Sequence, residues 1–286
     1  RTKAMQKNWI GKSHGTEIDF DIPWNKETNF ILLHGYTSTP ERAFRPWLKK
    51  ELEGRGHKVS VPELPNTNNP NVKEQIDFVL KNYKFDENTI LLGHSLGSVV
   101  ALKVLEKLNK PIKKLILAAG FLDSNFKDKK RNITFDWQFD FDKIKKNVNE
   151  IIILRDSSDY AIAHEQSNKI KEKIGGTIID FIAEKPHILG EQEPILLNSC
   201  LNKWPIFTTR PDTIYGVTFM VVSAQHPKLF ELVAEKQKKE VEKFLKKLKS
   251  VSEKELEDME KEGVFTGSYA KNPITNEKIP VYAGNF

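Results

Sequence analysis

The sequence contains one cysteine, Cys200, in 286 residues. No internal disulfide can form, and a reducing compartment suits such a chain. Long apolar runs are also missing, since none approaches the roughly 20 residues that a membrane-spanning helix needs. The opening RTKAMQKNWIGKS lacks the apolar centre of a secretory leader. These absences lead to the expectation of a cytoplasmic protein with no membrane partner. The chain starts at Arg1 rather than Met, as a fragment or excised domain would. There is no internal repeat and no low-complexity tract. Nor does one sign of charge dominate: 45 Lys and Arg against 39 Asp and Glu leave +6. The basic stretch at 236–249 is followed by an acidic one at 253–262. Such neighbours read as solvated, mutually attracting helices rather than as a nucleic-acid surface.

What is present is enough apolar material, 38% of residues, for real cores. The length suits two domains. The middle of the chain alternates two patterns. Short apolar runs predict strands at 30–33, 58–62, 89–92, 114–119, 150–154 and 177–182. Helical spacing predicts helices at 40–54, 72–83, 96–108, 141–148, 162–174 and 193–201. In the first of these helices, Pro40 stands in the first turn and Gly54 at the end. Strands alternating with helices imply a parallel sheet covered on both faces, an α/β doubly wound unit. The ends differ. Thr16 to Ile22 alternates with period two, as a half-buried antiparallel strand does. Residues 204–223 predict a strand pair broken by Arg210-Pro211-Asp212. Residues 228–262 predict two charged amphipathic helices, and 264–286 strand and turn.

The strand at 89–92 runs into Gly93-His94-Ser95-Leu96-Gly97 and then a helix. Gly-x-Ser-x-Gly in that context sets a serine on a tight turn with its hydroxyl above the sheet edge. The N–H of Leu96 opens the helix and can face an oxyanion. A second donor, at Tyr36, follows the first strand and its His34-Gly35 turn. A nucleophilic serine needs a base and an orienting carboxylate, both after later strands. His187 follows the strand at 177–182. Asp156 and Asp159 both follow the strand at 150–154. Asp159, deeper in the loop, is preferred, and Asp156 is the alternative or a turn residue. His57 lies at the wrong end of the sheet, His164 lies in a helix, and His94 reads as a packing residue. No metal site and no cofactor are expected for this chemistry.

The strings ILLHG, TILLGHSLGSVVALK and LRDSSDYAIAHEQ, with the later histidine, resemble the small serine hydrolases related to retinoblastoma-binding protein nine. These are compact α/β-hydrolases, and the likeness covers about 29–201. It implies Ser95 as nucleophile, Asp159 as orienting residue and His187 as base. Pro186 and Ile188 around the histidine depart from the family's usual Gly and Phe.

The flanks resemble a second family. MQKNWIGKS at 5–13 and FTTRPDTIYG at 207–216 are similar to the editing domain of bacterial-type leucyl-tRNA synthetase, and GVFTG and IPVYAGNF continue the match. The resemblance implies a mixed α+β editing domain, mostly antiparallel, in two arms at 1–24 and 204–286. The hydrolase at 25–203 would be inserted between them. It implies hydrolysis of mischarged tRNA, with Thr208, Thr209, Arg210 and Thr213 lining the editing pocket and Thr213 excluding leucine. It also implies tRNA(Leu) as partner through the parent synthetase, with ATP and Mg needed only in a synthetase core outside this chain. No His-x-Gly-His or Lys-Met-Ser-Lys-Ser string occurs, so the fragment alone is not expected to aminoacylate. The insert's small acyl substrate is unspecified, and a catalytically inactive spacer or binding module is the alternative reading. The topology places the insert's two ends at the sheet edge opposite Ser95.

Overall fold

A computed structural model describes residues 16–23, 27–123, 133, 135–249 and 260–285. The N-terminal string at 5–13 and most of the acidic stretch at 253–262 lie outside the described residues. The chain divides into two compact units. One comprises Arg1–Asn25 with Leu201–Phe286, and the other Lys26–Cys200.

The first strand, β1 (Thr16–Asp21), belongs to the outer unit. The inner unit follows with β2 (Asn29–Leu33), α1 (Arg45–Glu53), β3 (Lys58–Ser60), α2 (Val72–Asn82), β4 (Thr89–His94) and α3 (Leu96–Leu105). It continues with β5 (Ile112–Ala118), α4 (Phe141–Lys146), β6 (Val148–Asp156), α5 (His164–Ile174), β7 (Thr177–Phe181) and α6 (Pro194–Cys200). Its six strands form one parallel sheet in the order β3-β2-β4-β5-β6-β7. Every residue of β4 is buried. That explains why β4 reads as a continuous apolar run instead of an alternating one. The chain winds outward from β2 to β3, then crosses back to β4 on the other side. The order therefore reverses between β2 and β4, and the carboxyl ends of those two strands flank the crevice where ligands of open α/β sheets bind. At the opposite edge, the Lys114 ammonium near the start of β5 donates to the Ser199 carbonyl of α6 at 3.1 Å.

Helix α1 starts later than its pattern predicts. Pro46, not Pro40, occupies its first turn, and residues 40–44 form turns. Both prolines satisfy the same positional rule, so the pattern could not separate them. Strand β6 runs two residues past the expected end and includes Asp156, which pairs with Phe181 of β7.

The outer unit holds β1, β8 (Lys203–Thr208), β9 (Met220–Ser223), β10 (Gly263–Lys271) and β11 (Lys278–Gly284), with helix α7 (Lys238–Lys249). The sheet order is β8-β1-β10-β11-β9. Strands β1 and β8 pair antiparallel from Thr16↔Thr208 to Asp21↔Lys203. Just past that pair, the Ile22 N–H donates to the Asn202 carbonyl at 3.0 Å. The two strands expected within 204–223 do not pair with each other. β8 and β9 lie at opposite edges of the sheet, and β9 pairs in parallel with β11. The sequence between them forms a 3-10 turn over Pro211–Gly216. Only one helix, α7, is described where two were expected; two short 3-10 turns precede it. Phe20, Ile22, Ile214, Val241 and Val281 meet in this unit's core. No described helix is long and apolar enough to cross a membrane.

Candidate active site

Ser95 occupies the turn between β4 and α3 with φ +54° and ψ −123°. A non-glycine residue there is strained, and such strain clusters at functional sites. The turn closes because the chain passes other backbone at very short range. A Cβ on Gly97 would collide with the carbonyl oxygens of Leu33 and His34. One on Gly35 would lie 2.8 Å from the Ser95 Cβ. The Ser95 N–H is held by the Ala118 carbonyl at 2.9 Å. Helix α3 behind it is buried at every residue but Lys103, so the serine rests on a rigid base.

The hydroxyl of Ser95 lies 3.1 Å from Nε2 of His187. On the other side of that ring, Nδ1 lies 2.9 and 3.1 Å from the two Asp159 carboxylate oxygens. Asp159 Oδ1 also accepts the N–H groups of Ala161 and Ile162, which fixes the carboxylate's direction. These three side chains, which are distant in sequence, therefore form one hydrogen-bonded row.

Asp156 does a different job. Its carboxylate accepts the Ser158 hydroxyl and the N–H groups of Ser158, Ala183 and His187. Burial pushes its carboxyl up, but those four hydrogen bonds outweigh burial and hold it below the usual range. The loop it fastens is strained, with positive φ at both His187 and Ile188. Glu193, also buried, accepts the N–H groups of Glu184 and Gly190 and so secures the same loop.

His94 is buried, as a packing residue would be, yet it also makes a specific contact. Its Nε2 donates to the His187 carbonyl at 2.9 Å. Burial, then the nearby His187 and Arg45, press its pKa well below the ordinary value, so the ring stays neutral. His34 is buried too, and its Nδ1 and Nε2 engage the Gly35 carbonyl and the Leu64 N–H. Burial is the main cause of its pKa being lowered to about 4. The sequence did not mark Arg45, which lies beneath the loop after β2. It donates to the Thr39 carbonyl and the Ser38 hydroxyl while 1% exposed. Its signal was only a charged residue at a helix start. Burial pushes the Cys200 thiol up to about 12, so it stays protonated and unreactive.

Leu96 is the first residue of α3, so its N–H has no intrahelical acceptor. Tyr36 lines the cleft beside Ser95. The cleft holds about 190 Å³, with Arg42, Tyr160 and Leu189 also in its wall. Among the described residues, no group of three or more His, Cys, Asp or Glu side chains is placed to hold a metal ion.

The outer unit's expected site is more open. Thr209, Arg210 and Thr213 are exposed. Thr208 Oγ1 accepts the Arg210 N–H, and Thr213 Oγ1 donates to the Arg210 carbonyl. The Arg210 guanidinium is paired with Asp212 in a two-pronged contact at 3.1 and 2.8 Å.

Comparison with known proteins gives the two units different relatives. A leucine–tRNA ligase of Citrifermentans bemidjiense is 50% identical over 92 residues, covering 32% of this chain and 11% of that protein. A leucine–tRNA ligase of Brachyspira hyodysenteriae is 33% identical over 245 residues, covering 80% of this chain and 27% of that protein. The arms make up well under half of the chain, so that second alignment runs through the inner unit as well. The chain thus spans between about a tenth and about a quarter of the length of these two relatives. The solved ydeN gene product of B. subtilis shares the fold at a TM-score of 0.55 and 24% identity, over 60% of this chain and 95% of that one. Residues 190–286 match the editing domain of leucyl-tRNA synthetase, and through residues 29–172 the chain belongs to the alpha/beta hydrolase fold family.

Proposed function

We propose that the inner unit is a serine hydrolase acting on an ester, thioester or amide, carried within the editing region of a leucine–tRNA ligase. The observation that carries the reading is the row of hydrogen bonds from Ser95 through His187 to Asp159. In this mechanism Nε2 of His187 takes the Ser95 proton as Oγ attacks the acyl carbon. Asp159 holds the imidazole in the tautomer with Nδ1 protonated and stabilises the imidazolium. The N–H groups of Leu96 and Tyr36 receive the oxyanion. His187 then protonates the leaving group, and water regenerates Ser95. No cofactor is required.

For the outer unit, the proposed activity is post-transfer hydrolysis of mischarged tRNA(Leu) in the parent synthetase, in the cytoplasm. Thr208, Thr209, Arg210 and Thr213 would contribute to the editing pocket. The likeness of 190–286 to the editing domain supports this. The proposed synthetase chemistry using ATP and Mg belongs to a core outside this chain.

A fluorophosphonate probe tests the hydrolase. Labelling of the wild-type chain and its loss in Ser95→Ala is the expected result. No labelling of the folded wild-type chain would instead favour an inactive spacer module.

A further inference from the structure

A second cavity, of about 520 Å³, adjoins the serine cleft, and Ser38 stands in the wall of both. Its sides are the loop after β2, through Ser38 and Thr39, and the loop after β3, from Glu63 to Asn69. A hydrogen bond of 2.9 Å from the Thr37 N–H to the Thr67 carbonyl ties these loops together. The serine cleft holds about 190 Å³. That is below the roughly 300–1,000 Å³ of ordinary ligand sites, whereas the second cavity falls within the range. The cleft beside Ser95 therefore suits a small acyl group, and the bulk of a substrate needs the neighbouring space.

The lining limits what that space accepts. It includes three carboxamides, two threonines, one serine and one carboxylate, with no cation and no aromatic ring. A phosphate or carboxylate would lose its hydration without gaining a counter-charge. A long alkyl chain would find only Leu64 and Pro65 as apolar partners. Two of the lining side chains keep hydrogen-bonding capacity beyond the contacts they already make. Ser38 Oγ already accepts from buried Arg45 at 2.7 Å, so its own proton is directed elsewhere. Asn66 Nδ2 donates to Glu74 at 2.9 Å, which leaves its carbonyl oxygen as an acceptor. Donors and acceptors side by side match hydroxyl groups, each of which is both.

We infer that this cavity is the leaving-group subsite of the Ser95 centre, and that it takes the neutral, polyhydroxylated alcohol of a short-acyl ester, such as a sugar acetate. The inference rests on the serine-hydrolase reading. In the first step Ser95 Oγ bonds to the acetyl carbon and the bond from that carbon to the sugar oxygen breaks. The sugar oxygen departs with the proton held by His187. Water then adds to the acetyl carbon, acetate leaves, and Ser95 regains its proton.

The test compares glucose pentaacetate with p-nitrophenyl acetate, butyrate and octanoate. Acetyl esters should exceed the octanoate in kcat/KM by about a hundredfold or more, since one missing methylene alone is worth up to that order. Asn68→Leu and Asn69→Leu, each in the exposed loop, should lower kcat/KM on the sugar acetate about tenfold more than on p-nitrophenyl acetate. Octanoate cleaved as well as acetate, or equal losses on both substrates in the folded variants, would overturn the subsite. Ser95-dependent cleavage of p-nitrophenyl acetate without cleavage of the sugar acetate would also overturn it, and would leave the hydrolase standing. Absence of any Ser95-dependent cleavage would remove both.

Discussion

The carboxylate of Asp156 accepts the backbone N–H of His187 at 2.9 Å. Asp159, three residues later, takes the side chain of the same histidine. Two neighbouring acids thus hold one residue at two points, and their loss should have different consequences. Asp159→Asn should lower kcat on a phenyl ester by roughly 10⁴ with little change in thermal stability, because the amide no longer holds the needed tautomer. Asp156→Asn should lower stability by about 1–3 kcal/mol, since one carboxylate oxygen becomes an NH2 that cannot accept a backbone N–H. Paired kinetics and thermal melts check this. The assignment fails if Asp159→Asn keeps full activity while only Asp156→Asn loses it.

Acid stability should depend on His34. Its pKa falls from 6.5 to about 4 on folding, so the unfolded chain binds the proton more readily. The stabilising contribution of the neutral ring is complete above about pH 6.5 and is lost as pH falls toward 4. A shift of this size corresponds to about 3 kcal/mol across that window. Denaturant unfolding of His34→Gln as a function of pH should show a flatter acid limb between those values. An unchanged slope would remove His34 as the cause.

Gly97→Ala should destabilise the inner unit by roughly 1–3 kcal/mol or more, because the added methyl meets carbonyl oxygens of β2 and the residue after it. Neither backbone can move without breaking the sheet or the helix. Urea unfolding measures the loss, and a variant as stable as the wild type would show that the close approach is not tight.

Arg45→Met should cost esterase activity out of proportion to stability. The variant loses the hydrogen bonds to Thr39 and Ser38 but also removes a charge buried at 1% exposure. Replacing a buried charge with an apolar side chain of similar size is often near neutral. The loop carrying Tyr36 is released, so kcat should fall while the melting temperature shifts by only a few degrees. Equal activity in the variant and the wild type would show that Arg45 does not position this loop.

The α/β character was legible because parallel strands buried on both faces show as uninterrupted runs, as in Thr89–His94. Ser95 was legible because its turn demands glycine at two flanking positions. The pairing of β8 with β1 was legible, because an insertion between two host strands leaves the strands near 18–22 and 205–209 to pair across it. The partner of β9 was not, since an apolar pattern identifies a strand without naming its neighbour, and β11 arrives much later in the chain. Asp156 and Asp159 follow the same apolar run, and only the deeper loop position of Asp159 favoured it in the sequence. In the structure β6 extends to Asp156, which accepts the His187 N–H, while the Asp159 carboxylate meets the His187 ring. His94, Arg45 and Glu193 support the site through backbone contacts, which no sequence motif encodes.

The pairing of Asp21 with Lys203 has a kinetic consequence. Strands β1 and β8 form a hairpin whose connecting segment is a whole folding unit. Formed early, that ladder would have to close one of the longest loops in the chain, and the entropy of closure would oppose it. If Lys26–Cys200 condenses first, the same two strands begin as near neighbours and zip at almost local cost. Synthesis runs from the N-terminus, so β1 emerges long before either of its partners and must wait with both edges open. By this entropy argument the insertion itself favours one order of folding, in which the interior sequence completes its structure before the first strand finds its place.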